Sequence, residues 1–379
     1  MRRAPASAIG VWESRLIGIV AATLVVFGIA AVYGASSIWA AQNGHPGGVF
    51  ALRQLLGAVL GMALLVVVAR LDYHILRRYA WPLLGLVAAL LIVPLLPFTR
   101  AIAPELNGAR RWITIGPVSI QPSELAKLAV VVWAAMLAAK KGELVREFRL
   151  GVLPFLVVLV PVLGLIVLEP DLSTATVVAL LAGVVLFTAG ARIGHFLVLA
   201  MIAVPLLWHE VVSVQYRLSR MVSFLSAGGD VAESSWQIEQ SLVGIGAGQL
   251  MGVGFGEGLQ KLGYLPYAYS DFIFSTIGEE WGFLGVILIV VLFGLYFGLG
   301  LRIARTAPDA FGMLLATGLT AMIGLAAILH IAVTLALVPT TGLPLPFISY
   351  GRSNLLVSLF ATGVIMSVGK RRVVRGSRR

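Results

Sequence analysis

The sequence predicts an all-α polytopic membrane protein of about ten transmembrane helices, with a large extracytoplasmic loop between spans seven and eight. Three observations carry that expectation. Hydrophobic residues make up 59% of the 379 and charged residues only 12%, at a mean hydropathy of +0.97; a soluble domain has no use for so much apolar surface. Apolar runs of about 20 residues, the length that crosses a hydrocarbon core of ~30 Å, recur along the chain. Most of the 28 Lys and Arg residues fall in alternate connections, on the same side as both termini, which the positive-inside rule assigns to the cytoplasm. The net charge of +11 is therefore a topology signal with an attraction to anionic membrane lipid, and no nucleic-acid partner is expected.

The spans are placed at 16–37, 49–69, 81–99, 123–139, 150–168, 172–190, 194–210, 272–300, 311–337 and 345–369. They belong to one integral-membrane domain over 1–379, with 1–15 as a cytoplasmic N-terminus and the basic "KRRVVRGSRR" at 370–379 as a cytoplasmic tail. The first run exceeds the roughly 7–15 apolar residues of a secretory signal and has no small-residue cleavage site behind it, so it reads as a retained anchor. Cysteine is absent, which excludes disulfides, thiolate nucleophiles and Cys-based metal sites. Most connections are short, but 99–122 and 211–271 are not, and both fall on the outer side. Connections of that length are uncommon without a function, and sites concentrate on loops held by a rigid scaffold. Any chemistry is expected at the outer membrane surface.

In the larger loop, "VSVQYRLSRMVSFL" reads as an amphipathic interfacial helix with Arg217 and Arg220 on one face. "AGGDVAESS" reads as a turn, with Ser234 or Ser235 as a cap for the helix that follows. Gly252, Gly254, Gly256 and Gly258 in "GVGFGEG" suit a flexible or closely packed backbone; a dinucleotide fingerprint would need a preceding strand and a βαβ unit, and neither is evident. "QPSELAK" opens the fourth span, where Glu124 and Lys127 can pair at a depth at which either alone would be expensive. Ser123 and Lys127 are four apart, so this is not the Ser-x-x-Lys of a β-lactamase. "LEPDLS" supplies Glu169 and Asp171, the latter either a helix cap or a group facing the cavity between spans. Pro344 and Pro346 in "GLPLPFISYGRSN" break the start of the last span, so irregular backbone there is expected to line a cavity.

"YLPYAYSDFIFSTIGEEWG" places Asp271 at the end of the outer loop and Glu279 and Glu280 two turns into the eighth span. Adjacent helical positions point about 100° apart, so the two glutamates need different partners. They are expected to be structural or charge-balancing, paired with Lys127 or Arg352 or capping a helix end. No His-Glu-x-x-His or comparable metal-ligand spacing occurs, and the adjacent His209 and Glu210 have nothing nearby to complete a site.

Six stretches in order, "NGARRWITIG…SIQPSELAKLA", "EPDLSTA", "YRLSRMVSFL", "SWQIEQSLVGIGAGQLMGVGFG", "LPYAYSDFIFSTIGEEWG" and "PTTGLPLPFISYG", resemble the SEDS family of peptidoglycan glycosyltransferases over almost the whole chain. "ASS" in the first span, "NGARRW" and "IGEEWG" look more like the septal FtsW-like branch than the RodA-like elongation branch. The resemblance implies a ten-span enzyme that polymerises lipid II on the outer leaflet, at the division septum in the FtsW-like case. It also implies a class B penicillin-binding protein as transpeptidase partner, further divisome or elongasome membrane proteins, and a Mg²⁺ or Mn²⁺ requirement without an organic cofactor. Asp271 matches the family's essential acid, and its structural and cavity positions map onto Trp112, Glu124, Lys127, Arg217, Arg220 and Gln240. The chain departs from the pattern before Asp271, where Tyr267 follows Pro266 and the usual glutamate is missing. It departs again in "SYGRSN", where Arg352 and Asn354 replace small residues; Arg352 could hold pyrophosphate or pair with Glu279 or Glu280.

The implied reaction is attack of a sugar hydroxyl on the anomeric carbon of a lipid-pyrophosphate donor, with inversion. A hydroxyl is a weak nucleophile and needs a positioned base, for which Asp271 is the candidate. Pyrophosphate leaves without protonation if cations meet its charge, for which Arg217 and Arg220 are the candidates. A flippase of lipid-linked sugars and a non-catalytic division scaffold are the competing readings. No inverted repeat is evident, which weighs against the first.

Overall fold

Twelve α-helices and one short β-hairpin make up most of the regular structure among the described residues, beside four short 3-10 helices and one π-helical turn. The helices are α1 (Val11–Gln42), α2 (Val49–Val68), α3 (His74–Ile92), α4 (Pro122–Lys141), α5 (Leu153–Leu168), α6 (Leu172–Thr188), α7 (Ile193–Val212), α8 (Gln215–Leu225), α9 (Glu233–Ala247), α10 (Ile273–Arg305), α11 (Ala310–Thr334) and α12 (Arg352–Lys370). Between α3 and α4, β1 (Ile113–Ile115) and β2 (Val118–Ile120) pair antiparallel with Thr114 opposite Ser119. This computed structural model describes residues 11–105, 108–116, 118–225 and 233–371. The predicted N-terminal segment up to residue 10, the turn across 226–232 and the tail from 372 lie outside the described residues.

Each of the ten apolar runs has its helix, but eight helices are long and apolar enough by themselves to cross a bilayer: α1, α2, α3, α5, α7, α10, α11 and α12. The other two are the more polar or shorter members of the bundle. α6 is apolar but 17 residues long, and α4 carries Glu124, Lys127, Lys140 and Lys141. α4 tolerates its charges because protein covers it, every residue from Ala126 to Met136 being buried. Several boundaries differ from expectation: α1 is longer at both ends than 16–37, α10 runs on past 300, and α3 ends at Ile92 rather than 99, where Pro94 and Pro97 open short 3-10 turns. α3 starts at His74 rather than 81, with Pro82 inside it, because the polar stretch before Pro82 is helical too. α12 starts at Arg352 rather than 345, because the prolines keep 342–351 irregular. Ser234 and Ser235 stand within α9, which begins at Glu233, so neither precedes the helix as the expected cap.

Glycines set the closest helix contacts, as expected where lipid gives no hydrophobic drive to helix association. A Cβ on Gly61 of α2 would lie 2.5 Å from Leu359 Cδ1 of α12, and one on Gly363 of α12 would lie 2.8 Å from the Leu65 carbonyl oxygen. On α1, Gly28 packs on the backbone of Phe347 and Ile348, and Gly34 lies against the Glu280 carboxylate.

The feature that shapes the half of the molecule holding the long loop is a break in α10 at Gly282, where φ is 64° and ψ −162°. At 1.5 Å per residue this lies about 13 Å along the helix from its start. A break inside a bilayer frees backbone groups that lipid cannot satisfy. Here the long loop turns inward and satisfies them. The N–H groups of Val253 and Gly254 donate to the carbonyls of Glu279 and Glu280 at 3.0 and 3.2 Å, and those of Phe283 and Leu284 donate to Gln249 and Leu250 at 2.9 and 3.3 Å. Backbones can come this close only without side chains between them. A Cβ on Gly248 would stand 1.9 Å from the Gly278 carbonyl oxygen, and one on Gly252, whose φ is +82°, 2.2 Å from that of Glu280. Gly248, Gly252 and Gly258 are thus closely packed, whereas Gly254 and Gly256 have room for a side chain and are required by their φ of 114° and 80°.

Gly252→Ala is expected to destabilise the detergent-solubilised protein by more than about 2 kcal/mol, because it combines backbone strain with overpacking. Gly246→Ala, where a Cβ meets nothing within 4 Å, should stay within about 0.5 kcal/mol of the parent. Denaturant unfolding followed by tryptophan fluorescence distinguishes the two.

Candidate functional site

Asp271 stands two residues before α10, at the edge of the bundle. Its position is set by a tight turn: Tyr267 takes a φ of 56°, and the N–H groups of Ser270 and Asp271 both donate to its carbonyl, at 3.0 and 3.1 Å. That turn is stitched to the irregular segment ahead of α12. Tyr350 N–H donates to the Tyr269 carbonyl at 3.0 Å, Ser349 Oγ to the Ser270 carbonyl at 2.7 Å, and Leu345 N–H to Ser349 Oγ at 2.8 Å. The Asp271 carboxylate faces Gly342, where a Cβ would stand 3.6 Å from Oδ2. Of the segment 342–354 predicted to line a cavity, Gly342 stands beside this acid, while Pro346 and Asn354 line a small cavity at Glu124 and Lys127.

Burial pushes the Asp271 carboxyl above the ordinary carboxylate range, while the Ser270 hydroxyl and the positive charge of Arg220 pull partly against it. A carboxylate held this way is a stronger base than one in water. Arg220 is anchored across the site, its Nη1 donating to the Thr340 carbonyl at 3.2 Å. Arg217 goes elsewhere: its Nη1 pairs with Glu210 Oε2 at 2.8 Å and with the Glu210 carbonyl at 3.0 Å. The two arginines were expected to act together from one face of α8; the structure gives the charge near Asp271 to Arg220 and uses Arg217 to tie α8 to the end of α7.

Four aromatic rings back this turn and were not singled out from the sequence. Trp39 of α1, Phe50 of α2, Tyr269 and Tyr350 contact one another with ring centroids 5.0–5.8 Å apart. Their only sequence signal is that Trp39 and Phe50 stand on either side of the connection between the first two spans.

The deeper acids find partners that sequence reasoning did not name. Glu280 pairs with Lys261 at 2.8 Å, both side chains 1% exposed. Glu279 accepts the N–H of Leu259 at 2.7 Å and of Gln260 at 3.3 Å. Of the expected partners, Lys127 is taken by another acid, Glu124, and Arg352 opens α12 with its Cγ 3.5 Å from the Cβ position of Gly57. The geometric expectation does hold, since the neighbouring glutamates face different groups of one loop segment, 259–261.

Glu124 and Lys127 pair as predicted, at 2.7 Å with side chains 3% and 5% exposed. They line a small cavity with Pro346, Asn354 and Ser358. Asp171 is the cap of α6, accepting Thr174 N–H at 3.2 Å, and it also binds Ser123 Oγ at 3.1 Å and Gln121 Nε2 at 3.2 Å from the start of α4. Arg111 holds the same turn through the carbonyls of Glu169 and Pro170, at 2.9 and 2.6 Å. Arg110 folds the other loop onto itself through Ala103, Leu96 and Thr99. Trp112 and Gln240 are half-buried on this loop and on α9. No hydrogen bond or ion pair among the described residues joins either of them to Asp271.

Glu169 is fully buried with no hydrogen-bond partner for either carboxylate oxygen. Burial, helped by the negative charge of Asp171 and opposed by Arg111, raises its pKa from 4.5 to about 9. A raised carboxyl binds its proton more tightly in the folded state, so between about pH 4.5 and 9 folding stability falls as pH rises. Glu169→Gln is expected to remove that slope, matching the parent near pH 5 and exceeding it increasingly toward pH 9 in chemical unfolding curves.

The chain is similar throughout to known proteins. The family model for cell cycle proteins of the FtsW, RodA and SpoVE type matches residues 14–373. A probable peptidoglycan glycosyltransferase FtsW of Trichlorobacter lovleyi is 43% identical over 345 residues, covering 91% of this chain and 90% of the relative. Stage V sporulation protein E of Bacillus subtilis is 38% identical over 355 residues, covering 94% and 96%. Among solved structures, a chain from a study of how a peptidoglycan synthase complex coordinates polymerization and crosslinking aligns with a TM-score of 0.75 at 29% identity, covering 94% of this chain and 97% of that one. The rod shape determining protein RodA of Thermus thermophilus aligns with a TM-score of 0.66 at 28% identity, covering 94% and 96%. With its bundle of apolar helices and a family match that spans nearly all of it, this multi-pass membrane protein belongs to the FtsW/RodA/SpoVE family.

Proposed function

We propose that the chain is a peptidoglycan glycosyltransferase that polymerises lipid II into glycan strands at the outer face of the cytoplasmic membrane, with Asp271 as general base. The observation that carries the mechanism is a single carboxylate of raised basicity at the junction of the long loop and α10, with one arginine beside it. In this reading the Asp271 carboxylate takes the proton of the acceptor hydroxyl as that oxygen bonds to the anomeric carbon of the donor. Arg220 meets the charge growing on the departing pyrophosphate. Because pyrophosphate needs no proton to leave, one acid suffices where hydrolytic glycosidases use two. The substrate's polyprenyl tail remains in the bilayer while its sugars reach the turn that carries Asp271. Arg217, paired with Glu210, has a positioning role for α8.

The role in septal wall synthesis is proposed from the FtsW-named relatives, with RodA-like elongation as the alternative. The structural neighbour from a peptidoglycan synthase complex supports a crosslinking partner of the penicillin-binding-protein type. A divalent cation remains part of the proposal through the resemblance alone. The described residues contain no group of three or more His, Asp or Glu able to hold one, so they do not fit a protein-held metal, and no step is assigned to such an ion.

Purified protein reconstituted in lipid with lipid II, with and without a transpeptidase partner, is expected to produce glycan strands, and Asp271→Asn to produce none while keeping its unfolding midpoint. Retained polymerisation by the Asn variant overturns the base assignment. Lipid translocation without polymer favours a flippase, and partner binding alone favours a scaffold. A second expectation concerns pH. The rate should rise with pH as Asp271 loses its proton, and Arg220→Gln should move that rise to higher pH, because the arginine lowers the carboxyl's pKa. The pH profile of kcat/KM tests the shift separately from any loss in rate.

A further inference from the structure

We propose that the ends of α1, α2 and α12 farthest from Asp271 form a binding site for the phosphodiester headgroup of an anionic membrane phospholipid, held by Arg15, Arg70 and Lys370. The proposal does not depend on the activity argued above. Four helix ends converge here. Lys370 Nζ donates to the Ala69 carbonyl at 3.1 Å. Gly369 is wedged so tightly that a Cβ would stand 2.2 Å from Ser14 Oγ of α1 and 3.3 Å from Ile303 of α10. Each of these contacts is next in sequence to one of the three cations, which are thereby gathered, and all three are exposed. Arg70, Arg15 and Arg371 lie close enough to Lys370 for their charges to repel its ammonium group.

The acids nearby are already engaged. Glu13 pairs with Arg302 at 3.0 Å, and Asp72 pairs with His74 at 2.8 Å and with Arg371 at 3.7 Å. Among the described residues, neither Arg15 nor Arg70 makes an ion pair. Like charges crowded without a counter-charge call for an anion from outside the chain.

The surroundings select a lipid over free phosphate. Ile19 stands one helical turn below Arg15 on α1, and Val66 and Val67 lie in the last turn of α2 just before Arg70; the three are 60%, 43% and 54% exposed. A headgroup on the cations would lay its acyl chains along this apolar strip, which a free anion would leave bare. Trp12, 42% exposed with the Arg302 guanidinium 5.0 Å over its ring, marks the same level as a membrane interface. Four more arginines follow in sequence between 372 and 379.

Native mass spectrometry of the full chain, titrated with phosphatidylglycerol or phosphatidylcholine, tests the proposal. The parent should retain one phosphatidylglycerol in preference to phosphatidylcholine. The triple variant Arg15→Gln, Arg70→Gln, Lys370→Gln should bind it about tenfold or more weakly, with phosphatidylcholine binding unchanged. The charge-keeping set Arg15→Lys, Arg70→Lys, Lys370→Arg should bind like the parent, and the single Gln variants give the same readout in parts should the triple variant not fold. Equal retention by parent and Gln variants overturns the proposal. So does displacement of the lipid by millimolar inorganic phosphate, which would make this a plain anion site.

Discussion

A helix broken inside a membrane must have its freed backbone groups satisfied by protein, and the half of this molecule that holds the long loop is arranged around that requirement. The break at Gly282 is answered by residues 249–254, hydrogen-bonded on both sides of the interruption. The loop that answers it also carries Lys261, which neutralises Glu280, and the two backbone N–H groups that satisfy Glu279. Each element protects another from an uncompensated polar group in a low dielectric. Removing one partner of such a pair leaves the other charge buried, which is commonly worth about 3–5 kcal/mol. The same packing fixes the start of α10, and with it the level at which Asp271 emerges.

Around Asp271 the electrostatics follow a division of labour. Two interior acids are paired with lysines, Glu124 with Lys127 and Glu280 with Lys261, so those charges cancel locally. Asp271 has instead a hydroxyl and the neighbouring Arg220 against the effect of burial, and its basicity is left high. The irregular 342–351 segment makes this possible: Gly342 leaves room beside the carboxylate, and Ser349 and Tyr350 hold the turn that presents it.

The sequence was informative wherever a property is local. Hydropathy located ten helices, although it began α3 late because the helical stretch from His74 to Ala80 carries polar residues, and α12 early because Leu345 to Phe347 are apolar without being helical. Spacing gave the Glu124–Lys127 pair, one turn apart on a single helix. It could not give Lys261–Glu280, whose partners come together only because a loop that reads as solvent-facing dips into the bundle. The visible trace of that dip was the run from Gly248 to Gly258, whose meaning depends on which backbone lies opposite. Arg217 and Arg220 mark the same limit: helical spacing places them on one face, while the groups that face meets, Glu210 and Thr340, are tertiary facts. The orphaned Glu169 was legible as a residue in a turn and not as a buried acid.

The Lys261–Glu280 pair has a consequence for the order in which the protein is made. The lysine and its glycine-rich loop leave the ribosome before the glutamates do. That loop has already been made when α10 begins to insert. The pair can therefore close only after the span that carries Glu280 has entered the membrane, with the loop folding back into a gap that did not exist when it was synthesised. Until then both glutamates in α10 lack their partners. Seating of the loop is thus a late event in biogenesis, and chains whose eighth span stalls would have an exposed, unanchored loop that quality-control proteases can reach.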